Sequence, residues 1–261
     1  MVMDRERLTT LEQRQEADLV EIFSSVQGEG LRVGELHTFV RFAHCDMHCA
    51  YCDTPLCHAP PKTVRIQRVL GGGFDAELPN PIDGGELERV VDGILAENHP
   101  RAMSLTGGEP LLHPWTCDRL GAVARARGVP VLLETDGNLP DAFAGIRDVI
   151  DIVSLDWKLA SATGEPTQTD AHVRMLELAR GLETIVKMVF TADTTFDEVR
   201  DAAEIVARID PVTIVLQPCT PFGRVTRAPS VAQGLGFLRR LAGGASPVRL
   251  LPQVHRLMDL P

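Results

Sequence analysis

No stretch of this 261-residue chain approaches the roughly 18 consecutive apolar residues that a membrane-crossing helix needs. Its opening segment, MVMDRERLTTLEQRQEADLV, holds no apolar core of the kind a secretory signal requires, so the expectation is a cytoplasmic protein with no membrane partner. Positive charge is in deficit: 26 Lys and Arg stand against 36 Asp and Glu, a net charge of −10 at pH 7. A nucleic-acid binder displaces counterions with a cationic surface, so this balance argues against nucleic acid and for a free small molecule or a protein partner. Aromatic residues are scarce, at 5%. A repeat of fixed period and low-complexity tracts are also absent.

What is present is enough apolar material, 44% of residues, to bury a full-sized core. The length is more than one ordinary domain of about 150 residues and less than two, a size that α/β barrels reach as a single unit. Six cysteines stand at 45, 49, 52, 57, 117 and 219, and four of them crowd into residues 45–57. That is unlike the even framework of a disulfide-stapled secreted domain; in a reducing compartment, clustering points to metal or redox chemistry.

Two runs rich in Val, Phe and Thr, VEIFSSV and ELHTFVRFA, read as strands separated by the turn QGEGLRVG. Residues 57–85, loaded with Pro and Gly, read as an irregular excursion with one short strand pair. Beyond them a regular alternation begins. Helical patterns at 85–98, 114–127, 140–146, 169–180, 195–208 and 230–241 alternate with the apolar runs MSLTG, VPVLLET, VIDIVSL, TIVKMVF, VTIVLQP and VRLLPQV. Strands spaced by helices imply parallel βαβ units in a sheet covered on both faces. With VRFA, the count is about six βα units and a final strand. This fits a partial (βα)6 barrel or a doubly wound sheet, and in either the site lies at the carboxyl ends of the strands.

The densest chemistry is His44-Cys-Asp-Met-His-Cys-Ala-Tyr-Cys52, a Cys-x-x-x-Cys-x-x-Cys spacing just past a strand. Three thiolates in one loop can hold three corners of a cubane iron–sulfur cluster and leave the fourth iron open. The other reading is zinc on Cys45, Cys49, Cys52 and one of His44, His48, Cys57 or His58, although no second Cys-x-x-Cys or His pair follows downstream. At the end of the third strand lies SLTGGEP, where two glycines allow close backbone approach and Glu109 can accept from an ammonium group. Ser154, Asp156 and Lys158 in SLDWK and Gln217 in LQPC mark two further strand ends.

The cysteine spacing, with Tyr51 before its last member, resembles the signature of the radical S-adenosylmethionine (SAM) superfamily. That resemblance implies a partial (βα)6 TIM-like barrel and a 4Fe-4S cluster on Cys45, Cys49 and Cys52. The open iron then binds the amino and carboxylate groups of SAM. It further implies SAM contacts from Tyr51, Cys52, Asp53, the GGE element (Gly108 and Glu109), Ser154, Asp156, Lys158 and Gln217. On this reading residues 1–261 form a single radical SAM domain, with 57–85 as an insertion and 247–261 as a segment closing the substrate site.

The flanks EIFSSVQGEG, GELHTFVRFAHC and YCDT resemble 7-carboxy-7-deazaguanine synthase, the radical SAM enzyme family of queuosine and related 7-deazapurine biosynthesis. This implies a lyase that converts 6-carboxy-5,6,7,8-tetrahydropterin to 7-carboxy-7-deazaguanine with loss of ammonia. By the same resemblance Val26, Gln27 and Gly28 meet the pterin edge with Glu29 close by, Arg41 pairs with the substrate carboxylate, Thr106 is a further contact, and Thr54 binds Mg2+. The terminal segment PQVHRLMDLP resembles the family's, where a histidine (His255) and the terminal carboxylate (Pro261) reach the substrate. The partners implied are the small pterin and an electron donor such as flavodoxin or ferredoxin, and a homodimer is one assembly the reading admits.

The chain departs from the family in three places. His44 stands where glycine is usual, SLDWK replaces the more frequent Ser-Pro-Lys form, and 57–85 matches nothing specific. Two other functions share the cysteines: an activating enzyme for a glycyl radical protein, and a zinc-stabilised α/β binding module. Cys57, Cys117 and Cys219 have no assigned role.

Overall fold

In a computed structural model, residues 5–260 are described. The strands are β1 (Glu16–Ala17), β2 (Leu19–Val26), β3 (Leu36–Phe42), β4 (Thr63–Ile66), β5 (Ala76–Pro79), β6 (Ile82–Asp83), β7 (Ala102–Gly107), β8 (Val131–Thr135), β9 (Ile152–Asp156), β10 (Glu183–Phe190), β11 (Thr213–Pro218) and β12 (Val248–Leu250). The helices are α1 (Arg5–Arg14), α2 (Gly84–Asn98), α3 (Pro114–Ala126), α4 (Pro140–Ile146), α5 (Ala160–Thr163), α6 (Thr169–Ala179), α7 (Phe196–Ile209), α8 (Val231–Leu241) and α9 (Val254–Leu257). The alternation expected from the hydrophobic pattern is therefore present from β7 onward.

Ten strands form one sheet in the order β12-β11-β10-β9-β8-β7-β3-β2-β4-β5. From β12 to β3 every neighbouring pair is parallel; β2 runs antiparallel to β3, and β4 and β5 add an antiparallel pair at the edge. The fold is thus mixed α/β, dominated by a large parallel sheet. The runs MSLTG and VLLET are buried along almost their whole length because helices cover the sheet. Residues 57–85 do contain the expected strand pair, β4 with β5, which extends the sheet.

The sheet curves. Adjacent strands lie about 4.8 Å apart, so the five steps from β2 to β10 would span about 24 Å if flat. Yet Lys187 Nζ of β10 donates to Glu29 Oε2, just past β2, at 2.6 Å. Curvature brings the turn after β2 against the strands on the far side.

Helix starts follow local chemistry: Asp83, Thr195 and Ser230 each accept from a backbone N–H three residues on, capping α2, α7 and α8. Helix α1 was not apparent in the sequence, since it buries only Leu11. It is tied down by charge. Arg7 donates to the fully buried Asp18 (2.7 Å), whose other oxygen bonds His44 Nε2 at 2.8 Å.

Burial works to raise the pKa of Asp18, but the hydrogen bonds and charges of His44 and Arg7 outweigh it and hold the group below its ordinary value of 3.8. A carboxylate whose folded pKa is depressed contributes stability above its unfolded pKa and loses it as pH falls through the folded one. Asp18→Asn should lower stability at pH 7 by about 2 kcal/mol, a typical loss for hydrogen bonds to a buried charge. It should also flatten the decline of stability below pH 4, as read by urea denaturation across pH.

Candidate active site

At the carboxyl ends of the parallel strands lies a cavity of about 480 Å³. The loop after β3 supplies Cys45, Cys49 and Cys52, all partly exposed and all lining it. The backbone of this loop is held from three sides: Ala43 N–H donates to Asp18 O, His44 N–H to Cys57 O, and the His113 ring bonds Ala43 O. His44 has φ of 67°, the left-handed region that explains why glycine suits this position. Here the bond to Asp18 holds a bulkier side chain in that conformation.

Burial pushes the Cys45 thiol far up and Cys49 to about 11, whereas a hydrogen bond from Cys57 brings Cys52 down to about 6. Among the described residues, the groupings tight enough for a single ion, with donor atoms within 4.8 Å of one another, are Cys52–Cys57–His58 and Cys45–Asp46–Asp136. Cys45, Cys49 and Cys52 do not form such a group. They face one cavity from wider spacing, which fits three corners of a cluster better than one tetrahedral ion.

The TGGEP turn packs directly on this loop. A Cβ on Gly108 would stand 1.7 Å from His44 O, and one on Gly107, at φ of 113°, would stand 2.5 Å from the Phe42 backbone. Gly108 N–H donates to Phe42 O and Glu109 N–H to His44 O, at 3.0 and 2.8 Å. Gly108 lines the cavity and Glu109 does not. The Glu109 carboxylate is fully buried, accepting from Leu111 N–H, Thr135 Oγ1 and Asp136 N–H at 2.9 Å each. Burial, with the charge of Asp46 next, raises its pKa to about 7.

Ser154, Asp156 and Lys158 also line the cavity, and Ser154 and Asp156 lie within β9 rather than past it. Lys158 Nζ bonds Asp156 Oδ2 (2.9 Å) and Tyr51 Oη (3.3 Å), while Lys187 approaches the same Asp156 oxygen at 3.3 Å. Lys187 also donates to Glu29, which accepts from Gln217 Nε2 and Gln253 Nε2 at 3.0 and 2.8 Å. Burial disfavours the Glu29 carboxylate, but Lys187's charge and hydrogen bond, with Gln253's, hold its pKa below the ordinary value.

The turn after β2 places Val26, Gln27 and Gly28 on the cavity wall. Gln27 Nε2 and Thr106 Oγ1 both donate to Glu134, at 2.9 and 2.7 Å. Arg41 lines the wall opposite Thr106 in register, with its Nε committed to Glu21 at 2.9 Å. Thr54 bonds Asp53 (3.3 Å), and Asp53 accepts from Arg256 at 2.7 Å.

The terminal segment lies against this turn: Val254 N–H donates to Gly28 O, and His255 Nδ1 sits where a Gly28 Cβ would be, 2.2 Å away. Of the apolar side chains in this segment, Leu257 and Met258 are exposed. Polar contacts through Gln253, Val254 and Arg256 hold the segment instead. Pro261 lies outside the described residues.

Several site residues escaped the sequence reading. Lys187 sits inside the apolar TIVKMVF, Glu134 is the penultimate residue of VLLET, and Asp136 follows that run; a charged residue inside or just past a buried strand is the signal that marks them.

The fold is shared with solved structures. QueE from Escherichia coli matches with a TM-score of 0.58 at 17% identity over 93% of this chain and 97% of that one. SuiB of Streptococcus suis bound to S-adenosylmethionine matches with a TM-score of 0.54 at 12% identity over 95% of this chain and 54% of that one. No family model matches. These likenesses define the class of fold, a mixed α/β architecture shared with QueE and with a structure that binds S-adenosylmethionine.

Sequence relatives narrow it. The 7-carboxy-7-deazaguanine synthase of Methanopyrus kandleri is 36% identical over 93% of this chain and 93% of its own length, and that of Geobacter sulfurreducens 33% over 93% and 97%. The chain belongs to the 7-carboxy-7-deazaguanine synthase family.

The absence of space at Gly108 makes a test. Gly108→Ala must displace the His44–Cys45 backbone, so the anaerobically reconstituted variant should hold less than about half the iron of the parent by colorimetric assay. A turn packed this closely leaves no room to absorb the added methyl.

Proposed function

We propose that this chain converts 6-carboxy-5,6,7,8-tetrahydropterin to 7-carboxy-7-deazaguanine with release of ammonia. The observation that carries the reading, together with family membership, is convergence: the three cysteines, Arg41 and His255 line one cavity. On this reading the curved sheet is a partial (βα)6 barrel, residues 57–85 are its insertion, and the terminal segment closes the site. The contact between Glu29 and Lys187 supports that curvature.

Cys45, Cys49 and Cys52 would hold the 4Fe-4S cluster, which together with SAM would supply the one-electron chemistry that activates the pterin C6–H bond. The rest is placement and exclusion of water by the chain. Tyr51, Asp53, Gly108, Ser154, Asp156, Lys158 and Gln217 line the SAM side, and Glu109 acts there through the turn it braces. Val26, Gln27, Gly28 and Thr106 frame the pterin, with Gln27 and Thr106 fixed by Glu134. The Arg41 fork meets the substrate carboxylate, and His255 completes the far side. Thr54, next to the Asp53 carboxylate, offers the hard oxygen that Mg2+ prefers. A flavodoxin- or ferredoxin-type donor reduces the cluster in the cytoplasm.

One observation favours a second reading: Cys52, Cys57 and His58 are grouped tightly enough for a single zinc ion. Anaerobic purification separates the two. Iron and labile sulfide with a brown colour are expected; a colourless zinc protein would refute the radical reading.

Reconstituted enzyme given SAM, reductant, Mg2+ and the carboxypterin should form 7-carboxy-7-deazaguanine by mass spectrometry, and no deazapurine with or without Mg2+ would sink the proposed substrate. Arg41→Ala should raise the pterin KM about tenfold or more, the scale of a lost charge-assisted bond, while substrate-free SAM cleavage persists. Equal loss of both would show Arg41 to be structural, acting through Glu21.

A further inference from the structure

The Pro- and Gly-rich excursion at residues 57–85 enters the site through one cross-strand row. Arg65 of β4 stands opposite Glu21 of β2, Glu21 opposite Arg41 of β3, and Arg41 opposite Thr106 of β7. Residues opposite one another on neighbouring strands share a face, and all four of these line the cavity. Glu21 is 6% exposed and is bonded on both sides: Oε1 accepts from Arg41 Nε at 2.9 Å, and Oε2 accepts from Arg65 Nη2. Glu77, the next in the row on β5, accepts from Thr63 Oγ1 at 2.8 Å instead.

Aromatic contacts fix both arginines. The Arg65 guanidinium lies over the Phe74 ring, 4.4 Å from its centroid, and Phe74 meets Phe23 edge-on at 6.2 Å. The Arg41 guanidinium lies over Phe23, 5.5 Å from that centroid. The excursion is thereby joined to the cavity wall at two points, Arg65 on Glu21 and Phe74 on Phe23.

The charge of the row decides what it can receive. An Arg41–Glu21 pair alone would be neutral, and an incoming carboxylate would face the second oxygen of Glu21, a like charge in a partly desolvated wall. Arg65 occupies that oxygen, and two guanidiniums against one carboxylate leave the row cationic. Neither guanidinium loses its proton in a protein. Geometry serves the same end: with Nε given to Glu21, the Nη atoms of Arg41 meet no acceptor among the described residues and face the cavity free to bond a ligand.

We propose that Arg65, carried in on the β4–β5 pair, is a positioning residue for substrate recognition: acting through Glu21, it keeps Arg41 open to a carboxylate and sets the preference for a pterin carboxylated at C6 over one without that group. The inference rests on the proposed pairing of Arg41 with the substrate carboxylate. It gives the excursion a task at the site.

The test is binding by calorimetry to the anaerobically reconstituted holoenzyme, with SAM present and no reductant so that nothing turns over. The two ligands are 6-carboxy-5,6,7,8-tetrahydropterin and 5,6,7,8-tetrahydropterin. The parent should prefer the carboxylated ligand by about tenfold or more, the value of a charge-assisted pair. Arg65→Ala should weaken that ligand about fivefold, the upper range for a half-exposed charge pair, and leave the other within about twofold. Arg65→Lys, which keeps the charge, should recover most of the loss. In a Glu21→Gln background the same Arg65→Ala change should cost less than about twofold, because the group it acts through is gone. Iron content and thermal midpoint, measured on the same samples, confirm that equally loaded and folded proteins are compared.

An Arg65→Ala protein with parental affinity for the carboxylated ligand would overturn the proposal, as would one that weakens both ligands alike, the signature of a packing role. A lysine variant as weak as the alanine one would show that charge is not what Arg65 supplies. A fivefold loss that persists in the Glu21→Gln background would show Arg65 acting on the ligand without Glu21, and would overturn the proposal too. A parent that binds the two pterins equally would instead refute the pairing of Arg41 with the substrate carboxylate, and the inference would fall with it.

Discussion

The site depends on one steric constraint, the direct stacking of the Thr106–Pro110 turn on the backbone of residues 42–45. Two peptide groups lie where any side chain at 107 or 108 would put an atom, and two backbone hydrogen bonds close the contact. Because β3 and β7 are parallel neighbours with Arg41 opposite Thr106, the turn and the cysteine loop leave the sheet at the same level. The glycines are commonly read as room for a ligand. Here they are first room for another stretch of chain, and Cys45 is fixed in space by that contact before any ligand arrives. His44 belongs to the same constraint: its left-handed backbone is what the close approach leaves available, and Asp18 holds a histidine there.

A second layer is electrostatic. Glu29, Lys187, Asp156 and Lys158 alternate in sign across the cavity, so each buried charge is paired on at least one side. Buried pairs of this kind are poor sources of net stability, because desolvation opposes them, but breaking one partner leaves an uncompensated charge. Their effect is therefore on geometry. Glu29 takes bonds from β10, from Gln217 of β11 and from Gln253 of the terminal segment, so the turn after β2, two strand ends and the tail share one carboxylate. A shift in any of the three is transmitted to the others through that group.

Much of this was legible in the chain itself. The alternation from residue 84 to 250 follows hydrophobic period, and strand burial on both faces leaves little choice of fold class. The cysteine loop was legible because its spacing is dense and local. What was not legible depended on long-range contact. Helix α1 lacks an apolar face, so only its tie from Arg7 to Asp18 explains its place. Glu134 and Lys187 read as stray charges in apolar strands until curvature turned them toward the same cavity. The terminal segment carries four apolar residues in its last eight, yet its attachment is polar because backbone and amide groups, not Leu257 or Met258, face Gly28 and Glu29.

That attachment bears on how the cavity closes. A segment docked by burying leucine and methionine would resist leaving, since each buried side chain adds about 1.5–3 kcal/mol. A segment held by Val254 N–H, Gln253 and Arg256 exchanges those bonds for water at little net cost, as most protein hydrogen bonds contribute only about 0.5–1.5 kcal/mol net. The seat of His255 is nonetheless exact in shape, because the missing Cβ of Gly28 is filled by the imidazole. Shape thus fixes where the tail sits while weak polar bonds set how firmly it stays, a combination suited to a wall that must admit a substrate and then exclude water from it.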